Sequence, residues 1–396
     1  MRWAIAAVIA AVVLRRRTPP TAGICPADPA ACHFSSHYDA ASALIRARGA
    51  ALKAVCNISV TRLPEIAPGL ATDAVVIDTC AGAANCSTLI HLSGVHGVEG
   101  YAGSAVQSAL LDQWRLACPP TRVVLLHAVN PYGMHHSRRW NENGVDLNRN
   151  ALLRSEPFEG LADRRRDVED AYAELSSLLN PTSWSEPTFW WRALSTVARK
   201  GFVATKRVLV SGQYSVTDGL WFGGTELQKS HEHVLAFLAK VVPPSAPIFL
   251  LDVHTGLGPP GVDILMVLGE SSLDGVRHVF GEPDGFLYGE TTSGAASGYD
   301  ATIGDVPRGY ADRLGWTNAQ GLTQEFGTVP GLLVARALVR ENAAWHHGDD
   351  AEKRAAARDV RNAFYVPTAA CQNSVVERGV KVAMQALEGL AGGLLP

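Results

Sequence analysis

Three short apolar segments, each followed by a turn that contains glycine or proline, constrain the fold of this chain most strongly. They cover residues 88–93, 123–129 and 248–253. Continuous apolar runs of this length, separated by helical patterns, are typical of strands that are buried on both faces of a largely parallel sheet. The sequence therefore predicts one three-layer α/β/α domain around a mixed, mostly parallel, twisted central sheet.

The segments between these strands divide the chain into helical and irregular parts. Helical patterns cover residues 37–54, 102–116, 163–179, 227–241, 329–345 and 374–390. Residues 256–305 contain many Gly, Ser and Asp and are expected to form a long loop. We expect a leader and irregular lead-in over residues 1–34, one main domain over 35–366, and a C-terminal helix or tail over 367–396.

The first residues bear on the location of the protein. An apolar run of twelve residues, 3–14, follows a short basic start and precedes three arginines. It is too short to span a bilayer core of about 30 Å, which needs roughly 20 residues. The run instead fits the hydrophobic region of a secretory signal, with an organelle or cytoplasmic location as the alternatives. We expect secretion and no stable membrane span.

The positions of the cysteines also favour secretion. The chain has seven cysteines, and the pairs Cys25/Cys32 and Cys80/Cys86 are close enough in sequence to form short disulfide loops. In the cytosol the same residues would be free thiols, so the pairing depends on the compartment.

The charge and one missing motif exclude two classes of function. The formal net charge is −3, with both signs mixed along the chain, so there is no basic footprint for nucleic acid. No G-x-S-x-G sequence is present, which argues against a serine hydrolase of the nucleophile-elbow type.

A first candidate metal motif follows the segment 88–93. His96 and Glu99 are separated by two residues in a glycine-rich turn. An imidazole nitrogen and a carboxylate belong to the mixed ligand set of catalytic zinc, which leaves one position for water. The spacing alone is a weak signal, because such pairs usually lie on surface helices. Its place at the end of an apolar strand, where open α/β sheets collect their sites, favours metal binding.

A second candidate ligand ends the segment 248–253. His254 is followed by a glycine turn, as His96 is. A strand-end histidine is by itself more often part of the core, so this alternative stays open from the residues alone. Asp252 shares a face with His254 if the strand is regular. It is therefore placed to accept the second ring N–H of a zinc-bound histidine.

Longer motifs connect these residues to a known family. Asn-Pro-Tyr-Gly at 130–133 is followed at 138–150 by Arg-Arg-Trp-Asn-Glu-Asn-Gly-Val-Asp-Leu-Asn-Arg-Asn. A late Thr-Gln-Glu-Phe-Gly occupies 323–327. With the H-x-x-E motif and the distant histidine, this ordered set resembles the zinc carboxypeptidases of the carboxypeptidase A type over roughly residues 37–350. It is closest to an uncharacterised branch that also carries motifs like those at 212–214 and 219–224.

The resemblance implies a single zinc ion and a general base. It assigns the three metal ligands to His96, Glu99 and His254. Glu325 corresponds to the carboxylate that takes a proton from the attacking water and passes it to the leaving amine. From the residues alone, Glu325 could equally be an edge-strand carboxylate that faces solvent.

The resemblance also implies how a substrate is held. Arg139 corresponds to the arginine that stabilises the oxyanion, and Asn148 and Arg149 to the pair that binds a terminal carboxylate. Arg138 is expected to be only a surface neighbour. Asp146 is expected to hold the loop rather than to contact substrate.

Three departures from the family pattern concern substrate recognition more than metal chemistry. Tyr132 replaces the Asp of Asn-Pro-Asp-Gly, which is expected to alter a turn. Thr255 and a glycine follow His254 where digestive enzymes have Ser-Tyr. The family's mobile tyrosine has two positional candidates, Tyr299 and Tyr310, and neither lies in a matching motif. A long insert over 150–248 is placed to cap or narrow the cleft.

These patterns support three hypotheses of function. The first is a carboxypeptidase-like hydrolase that cleaves a C-terminal residue or a peptide-like amide, with a peptide or peptide-like small molecule as substrate. The second is a deacylase of N-acyl amino acids, or a related amide or ester hydrolase, on the same scaffold. The third is a zinc-free module that uses the cleft only for recognition, which the complete ligand set and Glu325 argue against.

Overall fold

One sheet organises the computed structural model, which describes residues 30–80, 83, 85–267, 273–281, 287–288 and 302–395. The strands of the described residues are β1 (Ile58–Arg62), β2 (Asp73–Ile77), β3 (Thr88–Ser93), β4 (Arg122–His127), β5 (Ile248–Thr255), β6 (Asp263–Val267), β7 (Leu287–Tyr288) and β8 (Ala319–Phe326). They form an 8-stranded sheet in the order β1-β2-β4-β3-β5-β8-β6-β7. The neighbours β4, β3, β5 and β8 are parallel, whereas β1, β2 and β6 pair antiparallel. The predicted mixed, mostly parallel sheet is confirmed.

Helices connect these strands. They are α1 (Tyr38–Ala51), α2 (Gly100–Gln113), α3 (Pro131–His136), α4 (Leu161–Arg164), α5 (Arg166–Ala173), α6 (Ser176–Leu179), α7 (Glu186–Lys200), α8 (Phe202–Ser211), α9 (Lys229–Val241), α10 (Leu273–Phe280), α11 (Val306–Arg313), α12 (Gly331–His347), α13 (Asp350–Phe364) and α14 (Ala369–Ala391). Short 3-10 turns cover Ala31–His33, Leu52–Ala54, Gly97–Glu99 and Leu147–Arg149. Within the described part of the chain, no helix combines the length and the apolar character that crossing a membrane would need.

The core lies on both faces of the sheet. Successive side chains of a strand point to opposite faces. On β5, Phe249 and Leu251 therefore pack in a cluster with α1, α2 and α14, while Ile248 and Leu250 pack in a second cluster with α9 and α11. Continuous apolar strands are explained by this burial on both sides. The three-layer α/β/α architecture is confirmed.

Several regions differ from the sequence-based expectation, and helices α7, α8 and α13 lie where no helical pattern was identified. Residues 256–305 contain strand β6 and helix α10 among the described residues, not only loop. Strand β6 pairs antiparallel with β8, and its apolar Asp-Ile-Leu-Met-Val run was obscured by the polar, glycine-rich segments around it. The pattern over 163–179 predicted one helix, but the structure has three short ones, α4, α5 and α6.

Two disulfides lie among the described residues. Cys80 and Cys86 are bonded, as their spacing predicted. Cys56 and Cys118, 62 residues apart, form a second disulfide that no local spacing indicated. Cys25, together with the leader up to residue 29, lies outside the described residues, so its proposed pairing with Cys32 stays a prediction. Two disulfides are compatible with an oxidising compartment.

The two disulfides are expected to differ in their contribution to stability. A cross-link stabilises a protein mainly by restricting the unfolded chain, and more so for a longer loop. For separations of 62 and 6 residues, the free energy of unfolding is expected to fall by about 4 kcal/mol for Cys56→Ser/Cys118→Ser and by about 2 kcal/mol for Cys80→Ser/Cys86→Ser. Urea unfolding followed by circular dichroism measures both. Equal losses from the two pairs would contradict the loop-length explanation.

Candidate metal centre

The predicted metal ligands meet at the carboxyl ends of neighbouring parallel strands. β3 leads directly into the turn with His96 and Glu99, and β5 carries His254 next to its last residue. On the other side of β5, Glu325 of β8 is the direct register partner of His254. Strand β3 has β4 as its neighbour on one side and β5 on the other. Such a reversal in strand order opens a crevice at the carboxyl ends of the strands.

The turn after β3 requires glycine at two positions. Gly94 has φ of +68°, a conformation that other L-residues rarely adopt. A Cβ on Gly97 would lie 2.0 Å from the carbonyl carbon of Gly133 at the first turn of α3. This close approach lets the N–H of Val98 donate to the carbonyl of Arg138 at 2.8 Å. The H-x-x-E turn is therefore tied directly to the segment that carries Arg139.

Candidate ligand atoms of three residues converge in the centre of this site. The Nδ1 atoms of His96 and His254 are 3.0 Å apart. Glu99 places Oε1 at 3.0 Å from Nδ1 of His96 and Oε2 at 3.1 Å from Nδ1 of His254. The three side chains are 2–4% exposed. The backbone N–H of Thr255 donates to Oε2 of Glu99 at 3.0 Å and fixes the carboxylate.

The second nitrogen of each histidine faces a carboxylate. Nε2 of His96 lies 3.0 Å from Oδ1 of Asp146, and Nε2 of His254 lies 2.8 Å from Oδ2 of Asp252. A carboxylate accepts a hydrogen bond, so each Nε2 carries the proton and each Nδ1 presents a lone pair. When both rings are neutral, two lone pairs and the Glu99 carboxylate face one another without a donor between them. This arrangement fits a cation, and its two nitrogens and one carboxylate fit zinc.

The shifted pKa values of His254 and Glu99 also indicate that positive charge is favoured in this cluster. Burial would lower the pKa of His254, but Asp252 and Glu99 raise it well above its ordinary value. Burial would raise the pKa of Glu99, but His96 and His254 lower it below its ordinary value. Without a metal, the cluster therefore favours a proton on His254 beside an ionised Glu99.

Glu325 lies beside the candidate ligands, as the register partner of His254. The N–H of Leu257 donates to its Oε1 at 3.0 Å, and the side chain is 7% exposed. Burial, together with the negative charge of Glu99, raises the pKa of Glu325 to about 8. An oriented carboxylate with a raised pKa is suited to accept and return a proton.

Arg139 is held at the edge of the ligand cluster by two carboxylates. Its Nη1 donates to Oε1 of Glu99 at 3.3 Å and its Nε donates to Oδ2 of Asp146 at 2.9 Å. Asp146 therefore connects Arg139 to His96. The expectation that Asp146 holds the loop agrees with this geometry, since it also accepts from the N–H of Asn148.

The predicted carboxylate-binding pair lies farther out. Oδ1 of Asn148 accepts from the N–H of Val306 at 3.1 Å. Arg149 donates from Nε and Nη2 to the carbonyl of Val210, at 3.0 and 2.6 Å. Val210 belongs to the last turn of α8, so the insert contacts the guanidinium of Arg149 directly.

Arg138 is not the surface neighbour that the sequence predicted, and this prediction is wrong. It is 1% exposed. Its guanidinium lies 3.8 Å from the ring of Trp345, and its Nε is 2.5 Å from Oε1 of Glu341. Stacking and pairing bury the charge, because a planar guanidinium can do both at once.

Tyr310, one of the two candidates for a mobile active-site tyrosine, does not line the ligand cluster. Tyr310 is fully buried on α11, and its hydroxyl is 2.8 Å from Nδ1 of His231. Nε2 of His231 donates in turn to the carbonyl of Leu147 at 2.9 Å. Tyr310 and His231 thus position the 147–149 turn, a role that no local sequence signal indicated. Tyr299 lies outside the described residues.

Asp252→Asn is expected to weaken zinc binding by about 10- to 100-fold. The carboxylate orients the His254 ring at 2.8 Å and increases its basicity. Competition with a zinc-sensitive dye measures the affinity. Asp73→Asn is the matched control, since Asp73 is also fully buried and lies near a histidine, His127. Equal weakening in both variants would contradict a specific role for Asp252.

The chain was compared with curated proteins, solved structures and protein families. No curated protein matches the chain. A carboxypeptidase A from Helicoverpa armigera has a similar structure, with 14% identity and a TM-score of 0.47, over 90% of this chain and 80% of that one. A metallo-carboxypeptidase from Burkholderia cenocepacia has 11% identity and a TM-score of 0.46, over 90% and 69%. A succinylglutamate desuccinylase from Chromobacterium violaceum has 13% identity and a TM-score of 0.35, over 82% and 75%.

The family itself is shown by a match over most of the chain. The matching model covers residues 34–378, which include every predicted site residue. The expectation of an uncharacterised branch is confirmed by the description of this model. The chain belongs to the family described as "Protein of unknown function (DUF2817)".

Proposed function

We propose that this protein is a zinc-dependent hydrolase that cleaves a C-terminal peptide bond or a similar amide. The observation that carries this proposal is the cluster of three metal-binding atoms, two from histidines whose outer nitrogens are occupied by carboxylates. Glu325 stands on the adjacent strand with one oxygen held by a backbone N–H. Ligands, supporting carboxylates and a general base thus occupy one end of the sheet.

The residues have separate tasks in this reaction. His96, Glu99 and His254 would hold the ion, which as a Lewis acid lowers the pKa of a water molecule toward about 7. Oε1 of Glu325 is fixed by Leu257, so Oε2 is the oxygen that accepts the proton of the attacking water and delivers it to the leaving nitrogen.

Arg139 supplies positive charge beside the reacting carbonyl. Two carboxylates fix its guanidinium before the substrate arrives. A donor that is already oriented toward the developing negative charge lowers the barrier without further reorganisation. The contact with Arg139 stabilises the negatively charged oxyanion more than it stabilises the neutral substrate. It therefore lowers the activation barrier.

In this proposal, Asn148 and Arg149 recognise the carboxylate of the substrate. The planar guanidinium matches a carboxylate in geometry. Because Arg149 donates to the carbonyl of Val210, a carboxylate there competes with the last turn of α8. A small acyl-amino acid and a peptide both present such a carboxylate, so deacylation remains the second candidate.

A substrate panel tests the proposal. Zinc-loaded protein is assayed on N-blocked dipeptides, N-acyl amino acids and simple esters, with a chelated sample as the blank. We expect metal-dependent hydrolysis of the dipeptides. Hydrolysis of N-acyl amino acids without any action on peptides would replace the peptidase assignment by a deacylase. A loaded, folded protein that hydrolyses nothing would favour a binding module.

Arg139→Gln is expected to lower kcat by about 10²- to 10³-fold, or about 2.7–4 kcal/mol, as does the loss of an oxyanion donor. Zinc content is measured alongside, because Arg139 also contacts Glu99. Arg154→Gln is the control, since Arg154 pairs with Asp312 at an exposed position. Unchanged kcat in the zinc-loaded Arg139→Gln protein would remove Arg139 from the reaction.

A further inference from the structure

Exposed apolar side chains are concentrated in one segment of the insert. Nine large hydrophobic residues are exposed among the described residues, and four of them lie between 191 and 203. These are Trp191 (74% exposed), Leu194 (37%), Phe202 (65%) and Val203 (45%). Single exposed hydrophobic residues are common on soluble proteins, but a local concentration marks an interaction site. The two helices that carry them, α7 and α8 (residues 186–211), are called the α7–α8 hairpin below.

Helix α7 is apolar on two sides. Its inner side buries Phe189 and Ala193 against the protein. Trp191, Leu194 and Ala198 are spaced by three and four residues, so they form a second stripe, and all three are exposed. A surface helix normally needs only one apolar stripe. Phe202, which follows Gly201 at the start of α8, is exposed as well. These exposed apolar side chains are available to a partner outside the chain.

The hairpin also differs from the rest of the chain in charge. Residues 186–211 contain five basic side chains and one acidic side chain, a net charge of +4, in a chain whose net charge is −3. Arg199 and Lys200 are exposed at the end of α7, close in sequence to Phe202, and Lys200 also pairs with Glu174 outside the hairpin. The partner that complements this segment is therefore anionic, with an apolar layer that accepts aromatic rings.

We propose that the α7–α8 hairpin binds the surface of an anionic lipid bilayer, with Trp191 and Phe202 inserted among the headgroups. Aromatic side chains favour the membrane–water interface, and nearby Lys and Arg bind the lipid phosphates. A second copy of the chain is a poorer partner. A twofold contact through this face would place two segments of charge +4 against each other.

Vesicle flotation of the full chain tests this binding. Phosphatidylcholine vesicles are compared with vesicles that also contain phosphatidylglycerol, at low and high salt. We expect binding to the anionic vesicles only, weakened by salt because exposed charges are screened. Trp191→Ser/Phe202→Ser is expected to lower the partition coefficient about tenfold or more, since two aromatic side chains lose their burial.

The matched control is Leu116→Ser, which removes an apolar residue that is 93% exposed elsewhere on the surface. It is expected to bind vesicles as the unaltered protein does. Thermal melting shows that each variant is folded. Trp191→Phe gives an independent readout: brominated lipids should quench a fluorescence component that this conservative variant lacks.

Four results would overturn the proposal. The first is that the unaltered protein binds neither kind of vesicle, and the second is that the double variant binds as strongly as the unaltered protein. The third is that brominated lipids quench the fluorescence of Trp191→Phe as much as that of the unaltered protein. The fourth is a dimer of the unaltered protein in analytical ultracentrifugation that the double substitution dissociates. The last result would assign the stripe to self-association. None of these measurements depends on hydrolysis, so the outcome is separate from that of the proposed reaction.

Discussion

Glu325→Gln is expected to lower kcat by about 10²- to 10⁴-fold, the usual contribution of a general acid–base. The amide retains the size of the side chain and can still accept from the N–H of Leu257, which now holds Oε1 at 3.0 Å. It cannot take a proton at neutral pH. The fold and the ligand cluster should therefore stay intact while proton transfer is lost. Steady-state kinetics on the best substrate of the panel, with zinc content determined in the same sample, measure this effect.

Glu377→Gln provides the matched control for this substitution. Glu377 is an exposed residue of α14, so the same chemical change there should alter the free energy of unfolding by at most about 0.5 kcal/mol and leave kcat unchanged. If Glu325→Gln retained full kcat with zinc bound, the general base would have to be another residue.

His254→Ala is expected to abolish hydrolysis by removing a metal ligand. The affinity for zinc should fall by more than the roughly 10- to 100-fold that loss of a supporting carboxylate costs. Two effects combine: one nitrogen is lost, and Asp252 is left buried without the ring that it now contacts at 2.8 Å. Dye competition gives the affinity, and the substrate panel gives the activity.

His231→Gln serves as the control for His254→Ala. His231 is also fully buried, but it contacts Tyr310 and the carbonyl of Leu147, not the ligand cluster. Glutamine can still donate to that carbonyl, so zinc affinity should be retained. Tight zinc binding by His254→Ala would show that the ion is held elsewhere.

Much of the fold follows from local pattern. The strands β3, β4 and β5 are continuous apolar runs, and helix α14 is an amphipathic segment, so each is visible within one window of sequence. Strand β6 was missed because its pairing with β8 is decided by tertiary contact, not by its short, polar-flanked sequence. The Cys56–Cys118 disulfide was missed for a related reason, since a separation of 62 residues carries no local signal.

The candidate site also contains residues that the sequence predicted and contacts that it did not. Their positions near the ends of apolar strands made His96, Glu99, His254 and Asp252 candidates, the family resemblance assigned the three ligands, and the structure brings all four residues together. Contacts made by backbone groups have no sequence signature.

Two contacts at the site are of this kind. The backbone N–H of Leu257 donates to Glu325, and the backbone carbonyl of Val210 accepts from Arg149. The burial of Arg138 was also missed, because its partner Glu341 is more than 200 residues away in the chain.

The metal content of the purified, full-length chain is the most direct test of the zinc site. Inductively coupled plasma mass spectrometry should find one zinc ion per chain after dialysis against metal-free buffer. A chelator should remove this zinc, and stoichiometric zinc should return to the unaltered protein but not to His254→Ala. Absence of bound zinc after zinc return, or equal zinc in both proteins, would contradict a metal centre formed by His96, Glu99 and His254.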